Sequence, residues 1–387
     1  KLGGKIGINL SKKAIFGWHK INKNKLGFPW IEDLSSKRLI NLLYNYEYIN
    51  SASKEDDKKK LDFIIYFHIQ RILFDFNSKK ISEFTSYDLK AYLLSCSLLK
   101  KINETEIDYI KYIVDNQIDK IGMHKSYNFL EHSKFINNLS EIKNILLFSK
   151  SNKSNVFDEV ILKMTSILNE YFHLDGSLAL FNGTNNVYTI NIYKSLNKES
   201  YLKKREFSNI NNGIAFYSDT NKKIFFDVVQ PNSDMISSNL SAGTLSIELS
   251  GFGEKIVTNC GASESFGKNP EYLRYSAAHS TIILQNTNIS EIKEDNPHVK
   301  FPQSVVFRKE ANNQEEIFEG SHNGYLKKFS KIIKRKIIIY KNKSKLEGED
   351  SLISYKNKNI RLIYHIRFHL ADEMVLNFTN NKKNIIL

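Results

Sequence analysis

His279 follows the small pair Ala277-Ala278 at what reads as the start of a strand, with Arg274 and Tyr275 just upstream and Tyr272 beyond them. An imidazole can take or return a proton near neutral pH. A guanidinium can grip a carboxylate through two hydrogen bonds. A tyrosine can donate a proton or lay its ring against a sugar. Each has an ordinary reading beside the chemical one: a hydrogen-bonded histidine that pins the strand, a solvated arginine, and unremarkable tyrosines among the 20 in the chain. A second grouping, His124-Lys125-Ser126-Tyr127-Asn128, sets an imidazole, a phenol and an amide close together. Asn128 reads equally as a polar loop or helix-cap residue. The two cysteines, Cys96 and Cys260, stand in unlike contexts with no metal spacing, which argues against a disulfide scaffold or zinc ribbon.

Two kinds of element must position these groups. From about residue 33 to residue 172 apolar residues recur at helical spacing. The clearest face is Val156, Val160, Ile161, Met164, Ile167, Leu168, Tyr171 and Phe172. Ile107, Ile110, Ile113, Ile118 and Ile121 repeat the pattern more loosely, and polar breaks near residues 51–57, 77–82, 102–104 and 151–155 predict five or six helices packed antiparallel. After His173 the texture changes. Residues 244–249 alternate polar and apolar, and residues 224–229, 281–284 and 336–340 are rich in β-formers. Helices first and strands after predict two modules rather than an alternating α/β fold, with the change between about Leu174 and Tyr201. Asp175-Gly176 reads as a turn leaving the last helix, and residues 321–324 read as a hairpin turn with His322 exposed on it.

The bulk numbers narrow the classes. At 387 residues, two domains are the natural prior. The formal net charge of +14, from 56 Lys and Arg against 42 Asp and Glu, creates a field that attracts polyanions. The excess is lysine scattered among Asn and Ile, so charge alone does not choose the polyanion. No helix-turn-helix, zinc-finger or single-strand-binding signature points to nucleic acid. No run of about 18 apolar residues reads as a membrane span. The aromatic content of 12% suits deep cores and also a cleft that stacks on sugars. The start at Lys1 and the closing apolar triplet Ile385-Ile386-Leu387 read as a piece of a longer protein, truncated at its C-terminus.

From Gly213 onward the chain resembles the C-terminal domain of the heparinase II/III-like polysaccharide lyases. Ala242-Gly243-Thr244-Leu245-Ser246-Ile247-Glu248-Leu249, Val257-Thr258-Asn259-Cys260-Gly261 and Ala278-His279-Ser280-Thr281 match the family's H-A-x-x-L-S-F-E-L, V-D/N-x-G and A-H-N/S-T signatures, in order and at similar spacing. Gly324-Tyr325, Gly348-Glu349-Asp350 and residues 365–370 match later landmarks. Residues 175–183 and 124–128 resemble family stretches of the helical half.

The resemblance implies an N-terminal (α/α) toroid-like domain, residues 1–185, followed by an antiparallel β-sandwich, residues 186–387. It implies β-elimination of a uronate-containing acidic polysaccharide in the bacterial cell envelope, with the periplasm as the compartment. Such a reaction removes the C5 proton of a uronic acid and expels the oxygen at C4. Asn, Arg or His must neutralise the carboxylate while His or Tyr moves the protons. On that basis His279, Tyr275 and Asn128 are the catalytic candidates. Arg274, His124, Tyr127 and Tyr272 are the substrate-binding ones, all expected around one cleft between the two modules. In metal-containing members the residue matching His279 is a zinc ligand. Here the other ligand positions fall at Asn239, Ser241, Gly243 and Asn259, so neither zinc nor another cofactor is expected. The alternative is a non-catalytic glycan-binding or polysaccharide-biosynthesis-associated protein that keeps the fold. The oligomeric state stays open.

Overall fold

A computed structural model describes residues 3–30, 33–51, 53–185, 213–231, 240–263, 271–292, 301–355, 361–375, 377–379 and 385–386. The expected change of module at residue 186 lies outside the described residues, as does Asn239. Two compact units are present: residues 1–119 with 134–162, and residues 120–133 with 163–387.

The first unit is helical. α1 (Gly4–Asn22), α2 (Leu34–Tyr44), α3 (Tyr46–Asn50), α4 (Glu55–Phe76), α5 (Ser86–Leu98) and α6 (Glu104–Gln117) precede α7 (Phe129–Phe148) and α8 (Asp158–Glu170), which run from one unit into the other. Local chemistry fixes the starts. Thr85 caps α5 by accepting from the Asp88 amide, while the Asp88 carboxylate accepts back from Thr85. Asn103 caps α6 through the Glu106 amide. α4 begins with Glu55, Asp56 and Asp57, acids that suit the positive end of a helix dipole. Leu39, Leu61, Leu89 and Ile113 are fully buried, as their helical spacing predicts. On α8, Met164, Ile167 and Leu168 are buried, whereas Val160 and Ile161 near its start are half-buried.

The second unit is built on antiparallel sheets. One has the order β1 (Ile214–Ser218), β2 (Lys222–Asp227), β3 (Ile247–Gly251), β4 (Glu254–Thr258) and β11 (His369–Leu370). Another has the order β6 (Val305–Ala311), β7 (Glu315–His322), β8 (Lys331–Tyr340) and β9 (Leu346–Ser354). β5 (Ile282–Leu284) pairs with β10 (Tyr364–Ile366). Every second residue of β7 and β8 is buried, the period-two pattern of strands with one covered face. Phe226 of β2, Leu245, Phe318 of β7 and Ile333, Ile337 and Ile339 of β8 share one apolar cluster. Gly320 sits in that contact: a Cβ there would lie 2.5 Å from the Leu245 side chain and 2.8 Å from Phe226.

Helices followed by antiparallel strands is therefore the observed order. Two local expectations change. The strand predicted over 244–249 begins only at Ile247, because Leu245 takes a left-handed conformation (φ 62°) while its amide donates to the Asp227 carbonyl. His322 is not on an exposed turn. It ends β7 at 1% exposure, its Nδ1 accepting from the Gly324 amide, because the inward phase of β7 runs through Phe318 and Gly320 to it. The chain then turns through residues 323–325 into a short helical turn, Leu326–Phe329, before β8. Asp175-Gly176 is a turn as expected: Asp175 Oδ1 accepts from the Ser177 amide at 2.8 Å, and Gly176 has φ 81°.

Candidate active site

The second unit is organised around a carboxylate that no water reaches. Glu248 of β3 is 0% exposed. Its Oε1 accepts from the Asn259 amide at 2.9 Å, from Asn259 Nδ2 at 3.0 Å and from the Leu180 amide at 3.1 Å. Its Oε2 accepts from His173 Nε2 at 2.8 Å, with Lys255 Nζ 3.9 Å away. Burial pushes the Glu248 pKa upward, but Lys255 and this ring of donors outweigh it and hold the carboxyl below its ordinary range. Burial depresses the His173 pKa against the pull of Glu248, so His173 is a neutral donor and Lys255 carries the balancing charge. One buried ion thus ties the chain after α8 to β3 and β4.

Asn259 carries that order onward. Its Oδ1 accepts from the Ser280 amide at 2.9 Å, which fixes the backbone immediately after His279. Arg335 of β8 braces the same place. Its Nη1 donates to the carbonyls of Ser280 and Leu245, each at 2.9 Å, while Nε and Nη2 clasp Asp350 at 2.7 and 2.9 Å.

His279 itself is 2% exposed, and neither ring nitrogen has a partner among the described residues. Its ring lies against Gly243, where a Cβ would come within 2.9 Å of Cγ. Burial, with a lesser push from His369, holds its pKa down at about 4 against the pull of Glu248. The imidazole is therefore neutral at physiological pH. His369 is neutral too, its Nε2 donating to the Ala277 carbonyl at 2.9 Å and its Nδ1 lying 3.8 Å from Cys260 Sγ. Upstream, Arg274 Nε donates to the Leu240 carbonyl at 3.1 Å and is half-buried. Its two terminal nitrogens bond to no described residue. Tyr272 is 65% exposed, and Tyr275 caps the short 3-10 turn before His279.

The His124–Asn128 segment belongs to the same unit. Asn128 is 2% exposed, and its Oδ1 caps α7 by accepting from the Leu130 and Glu131 amides at 2.9 and 3.0 Å. Its Nδ2 donates to no described residue. His124 is buried and neutral, its pKa held at about 4 by burial, with Nδ1 2.8 Å from Ser126 Oγ. Tyr127 is 6% exposed in a left-handed conformation (φ 49°). No hydrogen bond joins Asn128 or Arg274 to His279. The link runs through Thr184, whose Oγ1 lies 3.5 Å from Asn128 Oδ1 and whose carbonyl accepts from Ala262. Two residues before Ala262, the Cys260 amide donates to the Ala278 carbonyl.

The residues fit zinc poorly. Asn259 has both side-chain ends engaged, Gly243 brings no donor, and the described residues hold no cluster of three or more His, Cys, Asp or Glu arranged for a metal. Sequence reasoning quoted Glu248 within its motif but assigned it no part, and it missed His173, Lys255, Thr184 and Arg335. Asp227 was missed as well. It is 5% exposed, with Oδ1 accepting from the Val229 amide, and burial raises its pKa to about 7.

Helices followed by antiparallel sheets is also the order of elements in solved heparinase structures. A heparan sulfate lyase from Pedobacter heparinus, in mutant form, superposes with a TM-score of 0.60 at 13% identity, over 98% of this chain and 64% of that one. A heparinase III gene product gives 0.64 at 11% identity, over 96% and 64%. Another heparinase III structure gives 0.58 at 13%, over 87% and 60%. The chain thus spans under two thirds of those proteins, and at such identities the likeness is one of fold. Residues 207–387 match the family described as Heparinase II/III-like, C-terminal, so the C-terminal part of this protein is a heparinase II/III-like domain. No curated protein matches the chain by sequence.

Proposed function

We propose that the protein is a polysaccharide lyase of the heparinase kind, cleaving an acidic, uronate-containing polysaccharide by β-elimination without a bound metal. One observation carries this reading: His279 is a buried, neutral imidazole with both nitrogens unpartnered among the described residues. Buried polar groups in folded proteins are almost always hydrogen-bonded, so an orphaned one calls for a ligand or a catalytic role. A neutral imidazole is the form that accepts a proton.

Two further groups have matching free capacity. The Arg274 terminal nitrogens and Asn128 Nδ2 are donors, the chemistry needed to neutralise a uronate carboxylate and acidify its C5 proton. In this reading His279 takes the C5 proton, Asn128 and Arg274 hold the carboxylate, and Tyr275 returns a proton to the departing C4 oxygen. Tyr272, Tyr127 and His124 shape the sugar subsites. The +14 charge favours a polyanion. The finer architecture in this proposal is an (α/α) toroid for residues 1–185 and a β-sandwich for 186–387, working in the cell envelope or periplasm, where such polymers occur.

The enclosure of the His279 ring favours a second reading, a non-catalytic glycan-binding protein that keeps the fold. The test is incubation with a panel of uronate polysaccharides while following the absorbance of the unsaturated product. Product formation supports the lyase. Saturable binding without product supports the second reading.

A further inference from the structure

A cavity of about 590 Å³ opens within the helical unit, between α1, α2, α3 and α4. It is remote in chemistry from the elimination site: its walls are mostly apolar, with Ile15, Trp18, Leu42 and Ile64 among them. That volume suits a small organic molecule. One cation sits in the wall. The Arg38 guanidinium lies 4.1 Å from the Trp18 ring centroid and 5.1 Å from that of Trp30. Its Nε donates to His68 Nε2 at 3.5 Å, and Nη2 donates to the Pro29 carbonyl. His68 is neutral and cannot balance the charge: its Nδ1 donates to the Ile64 carbonyl at 2.8 Å, and burial drops its pKa to about 4.

No carboxylate among the described residues pairs with Arg38. Asp33, on the turn before Arg38, is engaged with Lys37 at 2.7 Å, and Asp57 at the start of α4 with Lys12 at 3.2 Å. A half-buried guanidinium without an anion is costly unless something supplies one. Asn41, one helical turn beyond Arg38 on α2, also lines the cavity and adds an amide beside the charge.

We propose that this cavity binds a small organic monocarboxylate: an apolar body against Ile15, Leu42 and Ile64, with its carboxylate on Arg38. A single cation matches a single negative charge. A phosphate dianion would leave one charge unbalanced among walls that are mostly apolar. The proposal does not depend on elimination chemistry at His279.

The chain has two tryptophans, and one of them, Trp18, lines the cavity with Trp30 packed edge-on at 5.2 Å. Tryptophan emission therefore reports on occupancy. Titration of the whole chain with hydrocinnamate should give a saturable change with a dissociation constant of about 1 mM or tighter. Hydrocinnamide, the same body without the charge, should bind at least tenfold more weakly to the unaltered protein, a comparison that no folding defect can disturb. Ala14→Phe, which fills the cavity from α1 and leaves Arg38 in place, should abolish the response, and Arg38→Met should weaken it at least tenfold. Equal affinity for acid and amide, no saturable change, an unaffected Ala14→Phe variant, or tighter binding of glucuronate than of hydrocinnamate would each overturn the proposal.

Discussion

Gly243 lies so close to the His279 ring that a Cβ would stand 2.9 Å from Cγ and 3.1 Å from Nδ1. Only a residue without a side chain leaves the imidazole where it is. Gly243→Ala should therefore displace the ring or the loop, costing about 1–3 kcal/mol as overpacking does. Chemical denaturation measures that cost. An unchanged midpoint and an unchanged His279 proton resonance would show that the loop yields freely.

Glu248 to Gln removes the one charge that faces Lys255 in the buried network. Leaving a buried cation uncompensated costs about 3–5 kcal/mol. The pH dependence follows from the sign of the shift. The folded pKa of Glu248 lies below its unfolded value, so its stabilisation is present above the unfolded carboxylate range and is lost as pH falls through the folded pKa. Glu248→Gln should accordingly be less stable at neutral pH and show a shallower acid limb in unfolding titrations.

Asp227 has the opposite sign. Its pKa is raised to about 7 in the fold, so the native state holds a proton that the unfolded chain has released. Its contribution is most favourable below about pH 4 and declines as pH rises toward 7. Asp227→Asn keeps an acceptor for the Val229 amide and should flatten stability between those limits, gaining most on the unaltered protein above pH 7. Parallel stability curves for the two proteins would contradict the assignment.

Purified, unchelated protein should contain no stoichiometric zinc by elemental analysis, and chelators should leave its activity unchanged. The reason is the donor set: Asn259 is spent on Glu248 and Ser280, and Gly243 offers nothing. One zinc per chain, lost on His279→Ala, would contradict this.

Binding of an acidic polysaccharide should weaken steeply with added salt, because exposed charges are screened over about 8 Å at physiological ionic strength. A neutral glucan should bind far more weakly, with little salt dependence. Equal affinities for both would remove charge from the account.

Much of the fold was legible because its signals are local. The helical spacing over residues 156–172 and the β-rich runs at 224–229 and 336–340 are each written within a few residues. The motif run that contains Glu248, Asn259 and His279 could be read as a run, but not as a network. Glu248 gathers His173, Leu180, Lys255 and Asn259 from distant segments, and no short window shows that. His322 misled because Gly and Asn after it look like a hairpin, whereas its burial depends on the inward phase of β7 against the rest of the sheet. Asn128 shows a third case. The cap and the chemical candidate were weighed as rivals, yet Oδ1 serves the cap while Nδ2 donates to no described residue.

The central claim is that His279 is the base of an elimination reaction. Its direct test compares the unaltered protein with His279→Ala on uronate polysaccharides, following the absorbance of the new carbon–carbon double bond. The ring makes no hydrogen bond among the described residues, so the variant should stay folded and bind polymer normally. Turnover should fall on the order of a hundredfold or more, the usual scale for a lost proton-transfer group. A folded His279→Ala protein that makes unsaturated product at the original rate would contradict the account.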